Sequence, residues 1–332
     1  MTLKTRLAAA VCTCSIVAPA LAGAEELVLP SEVAATHWKT AYMQEFADRV
    51  EAATDDGLAV KIFPAGQLYS DQEALAALGT GAVQMVWPVS VRLETIAPQT
   101  GIINLPFAIS DEMMTDSCMS DGIRDMLSAQ LARAGLKVLG LLRTADLYFI
   151  YSGREITSME DLEGTKVRVT GGRVVQDTMK ALGISPVSMS ASEMSTALSQ
   201  GAIDGIFTSP AGWSEMIGMS GRYAWYVPGF SLLTYAIVVD SMWYDALPEG
   251  ERTAIRTSID DITARQWSEA REKDAESLKK MTDQGAVLHV ADEAEIERWK
   301  ALTKKTSASF VEANPEAEEA MMALEDSCGF AG

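Results

Sequence analysis

Ser70-Asp71-Gln72-Glu73-Ala74-Leu75-Ala76-Ala77-Leu78-Gly79-Thr80-Gly81-Ala82-Val83-Gln84 encodes a capped helix, a glycine stop and the start of a strand. Ser70 and Glu73 stand three apart, the spacing at which each side chain reaches the other's backbone N–H at a helix start. Gly79 and Gly81 end the helix, because glycine accepts the left-handed turn that closes one. Val83 to Trp87 then reads as a buried strand. The pattern returns at Ser190-Ala191-Ser192-Glu193, runs through Ala197-Leu198 and reaches Gly201-Ala202-Ile203-Asp204. Its Ser, Glu, Ala-Leu and Gly-Ala positions coincide with the first set without a gap. Chance likeness of two capped helices is the competing explanation. Two lobes sharing one plan is the alternative, and a crevice between two related α/β lobes is a natural ligand site.

The surrounding elements follow the same alternation. Glu26 to Leu29 reads as a first strand, Trp38 to Ala52 as a helix and Leu58 to Phe63 as a second strand. Gly122 to Ala134 is helical, Leu136 to Leu142 a strand, and Ser158 to Asp161 a helix start. Lys166 to Thr170 is a strand, Gly171-Gly172 opens a helix from Val174 to Leu182, and Ala224 to Asp240 is strand-like. Strands alternating with helices predict an α/β fold. From Glu249 to about Gln284 the only glycine is Gly250 and there is no proline, so one helix on the order of 30 residues and roughly 45 Å is predicted. A last helix spans Glu293 to about Glu312.

Bulk properties narrow the classes. Lys4 and Arg6 precede the short apolar run Leu7 to Val17, and Ala20-Leu21-Ala22 and Ala22-Gly23-Ala24 supply small-x-small cleavage spacing. Residues 1–24 therefore read as a signal peptide, too short in its apolar part for a membrane span of about 20 residues. Cys12 and Cys14 fall inside it without a lipoprotein pattern. Cys118 and Cys328 remain; in an oxidising compartment they can pair, and sequence separation alone does not decide it. The formal net charge is −19, or −21 once Lys4 and Arg6 are removed. So acidic a surface argues against nucleic-acid and anionic-membrane partners, and makes each buried arginine informative.

Catalytic constellations are absent from the sequence. His37 and His289 are the only histidines, and neither accompanies a nucleophile motif. There is no Gly-x-Ser-x-Gly, His-Glu-x-x-His, Cys-x-x-Cys or P-loop, so no catalytic residue, metal site or cofactor is assigned. The positive signal is Lys166-Val167-Arg168-Val169-Thr170-Gly171-Gly172. Arg168 sits on a strand feeding directly into a helix start, where a guanidinium fork and free N–H groups suit a carboxylate. On spacing alone a surface or ion-pair role competes with ligand contact.

The motifs Phe63-Pro64-Ala65-Gly66-Gln67-Leu68, Asn104-Leu105-Pro106-Phe107, Asp161 to Val169 and Ala197 to Gly205 come in an order that resembles the DctP-type binding proteins of tripartite ATP-independent periplasmic (TRAP) transporters. The likeness covers essentially the whole mature chain. It implies a two-lobed periplasmic binding protein of the Venus flytrap kind, with two mixed sheets flanked by helices and a long helix spanning both lobes. The implied division is 25–145 plus 233–273 for lobe I and 146–232 plus 274–332 for lobe II. It implies a monomer in the periplasm that hands a small carboxylate to the small and large permease subunits, with no ATPase. An ABC-type receptor, a ligand sensor and an exported enzyme are the alternatives.

The resemblance also implies ligand contacts. Arg168 grips the carboxylate, and Arg92 matches a first-lobe position where some relatives place a second arginine. Trp87 and Ser90 lie at a strand end facing the cleft, with Gly171 and Glu32 beside it. Tyr148 stands where sialic-acid-binding relatives carry an arginine, which argues against that sugar acid. Where many relatives have Gln-Glu-Asn, this chain has Ile206-Phe207-Thr208-Ser209-Pro210, so Thr208 and Ser209 replace an amide. Trp213 and Tyr235 complete the set, ordinary core packing being the competing reading for both and for Trp225, and Ala191 leaves space. Together they suggest a ligand whose far end is less polar or bulkier than a sugar acid.

Overall fold

The computed structural model describes residues 25–330; the predicted signal peptide, 1–24, lies outside them. The first strands are β1 (Glu25–Pro30), β2 (Leu58–Phe63), β3 (Met85–Val86), β4 (Leu136–Asp146), β5 (Tyr148–Tyr151) and β6 (Lys166–Val169). They are followed by β7 (Ser185–Ser188), β8 (Gly205–Thr208), β9 (Tyr223–Tyr226), β10 (Leu232–Asp240) and β11 (Val287–Val290).

In lobe I, β1 pairs in parallel with β2, while β10 runs antiparallel between β3 and β4. Gln84 joins the two pieces. Its backbone N–H donates to Val28 O at 3.4 Å, and its side-chain Oε1 accepts from the Val28 N–H at 2.9 Å. An amide side chain thus supplies a ladder bond that the two-residue strand is too short to make itself. Lobe II carries a mixed six-stranded sheet in the order β11-β9-β5-β8-β6-β7. β6 is parallel to both neighbours, which puts its carboxyl end, and the helix that follows, at the edge facing lobe I.

The lobes are joined where strands pass from one sheet to the other. β4 becomes β5 with Leu147 alone between them, and β9 becomes β10 through residues 227–231. The Leu147 N–H donates to Ser231 O at 3.0 Å, which ties the crossings side by side, and the Phe107 N–H donates to Phe230 O at 3.1 Å, which holds the second crossing to the loop after Asn104.

Helix Glu249–Asp283 has 35 residues, about 52 Å at 1.5 Å per residue, more than one lobe's width. On lobe I its Gln266 amide bonds both the N–H and the C=O of Arg143 at 2.8 Å, and Trp267 Nε1 donates to Leu141 O at 2.8 Å. On lobe II Met281 is fully buried, and Lys280 Nζ reaches Ser214 O at 3.3 Å. Where the helix passes the crossing strands, Arg143 binds Asp111, Asp146 and Asp274 at 2.5, 2.9 and 2.5 Å.

The chain's end departs from expectation. Helix Glu293–Ala313 packs Trp299 among Phe149, Trp225 and Phe230 of lobe II. Asn314-Pro315 then starts another helix, Pro315–Cys328, beyond the last helix the sequence predicts and inside the span 274–332 expected in lobe II. It lies on helix Ser117–Leu131 of lobe I, because Ala317, Met321 and Leu324 face that lobe's core and Cys328 forms a disulfide with Cys118. Among the described residues no helix is long and apolar enough to cross a membrane.

Candidate functional site

A small cavity of about 30 Å³ lies between the lobes and is walled by both. That is room for little more than a water molecule, so the lobes are drawn together around it. Glu32, Val89, Thr144 and Tyr235 wall it from lobe I, and Arg168, Met194, Thr208 and Ser209 from lobe II.

Strand alternation buries Val167 and Val169 in the lobe II core and turns Arg168 toward the crevice, where it is 1% exposed. Its Nε and Nη2 both donate to Met189 O, at 3.1 and 3.0 Å. A guanidinium has five N–H groups, so three have no protein partner among the described residues, and no carboxylate lies within ion-pair distance. Burial pulls the Arg168 pKa down to about 10, the nearby Arg92 charge adds to this, and Glu32 opposes it. The group stays charged at neutral pH, in a place where only a carbonyl answers it.

Glu32 faces Arg168 from the other lobe. Its carboxylate accepts from the Asp71 N–H at 3.3 Å on its own lobe, and from the Ala191 N–H and Ser190 hydroxyl, both at 3.2 Å, on lobe II. Asp71 and Ala191 are equivalent positions in the repeated segment, each just after the serine of a formed capping box. One side chain thus spans two matching helix starts, whose free N–H groups favour a negative charge. Arg92 Nη2 stands 3.9 Å from Glu32, its Nη1 donates to Gln72 at 3.0 Å, and its buried Nε has no partner.

A second contact of the same kind closes the far side. Gly172 is the N-cap of helix Arg173–Ala181 and has no side chain to cap it. Glu94 of lobe I does so instead, accepting from the Val174 N–H at 3.0 Å and from Asn104 Nδ2 at 3.1 Å. Burial holds the Glu94 carboxyl above its ordinary range, against these hydrogen bonds. The approach needs glycine: a Cβ on Gly172 would lie 2.7 Å from Val91 Cβ, and its φ of +77° is one that side chains resist.

Behind Glu32 lies a buried pair. Lys39 Nζ donates to Trp87 O at 2.9 Å, sits 3.5 Å from Asp71 and lies 4.3 Å from the centroid of the Tyr235 ring. Burial raises the Asp71 carboxyl, with Lys39 opposing. His37 caps the first helix with a neutral ring, Nδ1 accepting the Lys39 N–H, and burial and Lys39 lower its pKa to about 3.

Of the positions expected from sequence, Glu32, Arg168, Thr208, Ser209 and Tyr235 wall the cavity. Arg92 and Gly171 meet just beside it, a Cβ on Gly171 falling 3.1 Å from Arg92 Nη1. Four others lie outside the cavity wall. Trp87 packs edge-on against Phe46 in the lobe I core, because its strand side faces helix Trp38–Ala53. Ser90 Oγ donates to Asn104 Oδ1 at 2.8 Å inside lobe I. Tyr148 stacks on Tyr226 at 4.5 Å near the crossing strands. Trp213 is buried in lobe II with Nε1 donating to Gly221 O. His37, Glu94, Thr144 and the Lys39–Asp71 pair were missed. Only the bare Gly171-Gly172 helix start hinted that an outside acceptor was required.

This architecture matches known proteins throughout. Residues 30–314 match the family model of the bacterial extracellular solute-binding proteins, family 7, DctP. The C4-dicarboxylate-binding periplasmic protein DctP of Rhodobacter capsulatus is 28% identical over 244 residues, 73% of this chain and 72% of its own. The sugar-acid-binding protein DctPAm of Advenella mimigardefordensis, in complex with galactonate, superposes with a TM-score of 0.83 at 21% identity, over 93% of this chain and 99% of that one. A marine-metagenome TRAP solute-binding protein specific for pyroglutamate gives 0.82 at 22% identity, over 92% and 99%. The fold and its cleft define a two-lobed solute-binding protein. More narrowly, the chain belongs to the DctP family of TRAP solute-binding proteins, a family of binding proteins and not of enzymes.

Proposed function

We propose that this protein captures a small organic carboxylate between its lobes in the periplasm and delivers it, unchanged, to the small and large membrane subunits of a TRAP transporter. Residues 1–24 serve as the export signal. One observation carries the reading: Arg168 is a buried guanidinium that, among the described residues, has three uncommitted N–H groups and no ion-pair partner, in the wall of the interlobe cavity. A charged group so placed is costly unless an anion joins it. A ligand carboxylate would accept two charge-assisted bonds, each worth about 1.5–3 kcal/mol net. Thr208, Ser209 and the unpartnered Thr144 hydroxyl supply further polar contacts, and Val89, Leu147 and Leu233 an apolar wall.

The lobes supply different contacts, so they hold a ligand together only when closed, and the ligand shifts the open–closed balance by that difference. Known relatives bind C4-dicarboxylates, galactonate and pyroglutamate, which supports an acid of this size range. The test is a thermal-shift screen of carboxylic acids, each paired with its primary amide. Acids of the right shape are expected to raise the melting temperature with the logarithm of concentration, their amides are not, and the ligand is recovered chemically intact. Equal shifts from acid and amide, or no shift from any acid, would overturn the reading.

A further inference from the structure

Among the three buried cations at the cleft, Lys39, Arg92 and Arg168, two have a carboxylate partner and one does not. Lys39 is answered by Asp71 at 3.5 Å, and Arg92 by Glu32 at 3.9 Å. Among the described residues Arg168 is answered only by the Met189 carbonyl. Of the residues that wall the cavity, Glu32 and Arg168 alone carry a formal charge, and they stand on opposite lobes. We infer that the cleft selects a ligand with a single negative charge, and that Glu32 is the residue that excludes a second carboxylate. The inference rests on the carboxylate reading above and narrows it.

The physical reason is the surroundings of Glu32. It is 2% exposed, and its oxygens already accept from Asp71, Ser190 and Ala191. A ligand held by Arg168 extends from lobe II toward this side chain. A second ligand carboxylate would lie against a like charge in a nearly dry cavity, where Coulomb repulsion is little screened. No free cation answers it there, since Arg92 is turned away to Gln72 and Glu32 and is not in the cavity wall. An uncharged far end meets no such penalty, and a hydroxyl or N–H on it could donate to Glu32. Specificity of this kind comes from a repulsive element more than from an added contact. It sets this chain apart from the relative named for C4-dicarboxylates.

The rule makes a reversal expected. In Glu32→Gln the exclusion is lifted and Arg92 loses its partner, so two unanswered guanidinium groups face or adjoin the cavity. The test is calorimetry on the mature protein with acids matched in chain length: butyrate against succinate, 2-hydroxybutyrate against malate, and gluconate against glucarate. For the wild type, the member of a pair with one carboxylate is expected to bind at least tenfold tighter than its two-carboxylate partner. E32Q is expected to reduce that ratio tenfold or more. Wild-type protein that prefers succinate, malate or glucarate overturns the inference while leaving the carboxylate reading intact. An unchanged ratio in a folded E32Q, verified by circular dichroism, also overturns it. Binding of none of the six acids by folded wild-type protein overturns the inference; the carboxylate reading falls with it only where the thermal-shift screen finds no acid either. The wild-type comparison decides the matter even where the variant does not fold.

Discussion

Replacing Arg168 with methionine should separate binding from stability in opposite senses. The side chain is 1% exposed, and burial lowers its pKa from 12.5 to about 10. At 1.36 kcal/mol per pKa unit, the folded protein without ligand carries a charge penalty of about 3 kcal/mol. Methionine is unbranched and uncharged, though two atoms shorter, so it removes that penalty. It also leaves Met189 O, which Arg168 binds twice, without a donor; an orphaned buried carbonyl costs about 1–3 kcal/mol. The two terms nearly cancel. Chemical denaturation of R168M without ligand is therefore expected to give an unfolding free energy within about 2 kcal/mol of wild type. Binding should behave quite differently. Loss of two charge-assisted bonds at about 1.5–3 kcal/mol each weakens affinity by roughly 10² to 10⁴, measurable by calorimetry. A variant that loses much more stability than this while retaining wild-type affinity would show Arg168 to be a structural residue, and the reasoning would be wrong.

Other consequences are equally open to measurement. Gly172→Ala should weaken ligand affinity at least tenfold by calorimetry and lower the melting temperature only modestly, since its Cβ collides with Val91 across the lobe boundary; unchanged affinity would mean the lobes need not approach so closely. Asp274 is held up to about 7 by burial, with Arg143 opposing the rise and the Asp146 and Asp111 charges adding to it. Its folded value is above the unfolded one, so its contribution is fully present below about pH 4 and is lost as pH rises through 7, up to about 4 kcal/mol at 1.36 per unit. Asp274→Asn should accordingly flatten the decline in denaturation free energy between pH 5 and 8, and an undiminished slope refutes the assignment. Reducing Cys118–Cys328, which closes a 210-residue separation, should remove up to about 5 kcal/mol by chain entropy. Because the bond lies away from the cleft, ligand affinity measured well below the new melting point should stay the same.

Much of the fold was legible because local rules and tertiary structure agree. Both capping boxes form at Ser70 and Ser190, and the proline-free run after Gly250 becomes one helix as its sequence demands. The strand ending in Arg168 and the glycine pair after it stand where alternation puts them. What sequence could not supply was partnership at a distance. Whether Trp87 faces a cleft or a core depends on which side of a two-residue strand meets helix Trp38–Ala53, and both sides of that strand are apolar. Glu94 looks like one more charge in an acidic chain. Its meaning comes from Val174, 80 positions later, whose N–H it binds. The Pro315–Cys328 helix had adequate signals in Asn314-Pro315, but its lobe was set by the bond to Cys118, a choice that spacing cannot make.

Neither half of this molecule is contiguous in the chain, and that affects how it is made. The sheet of lobe I contains β10, which pairs with both β3 and β4, so that sheet is incomplete until residue 240 has emerged from the ribosome. Its covalent closure waits for Cys328. The second sheet waits in turn for β11, at Val287–Val290. Neither sheet can be completed, nor the disulfide made, before most of the chain has been synthesised, so the final lobes form late and together.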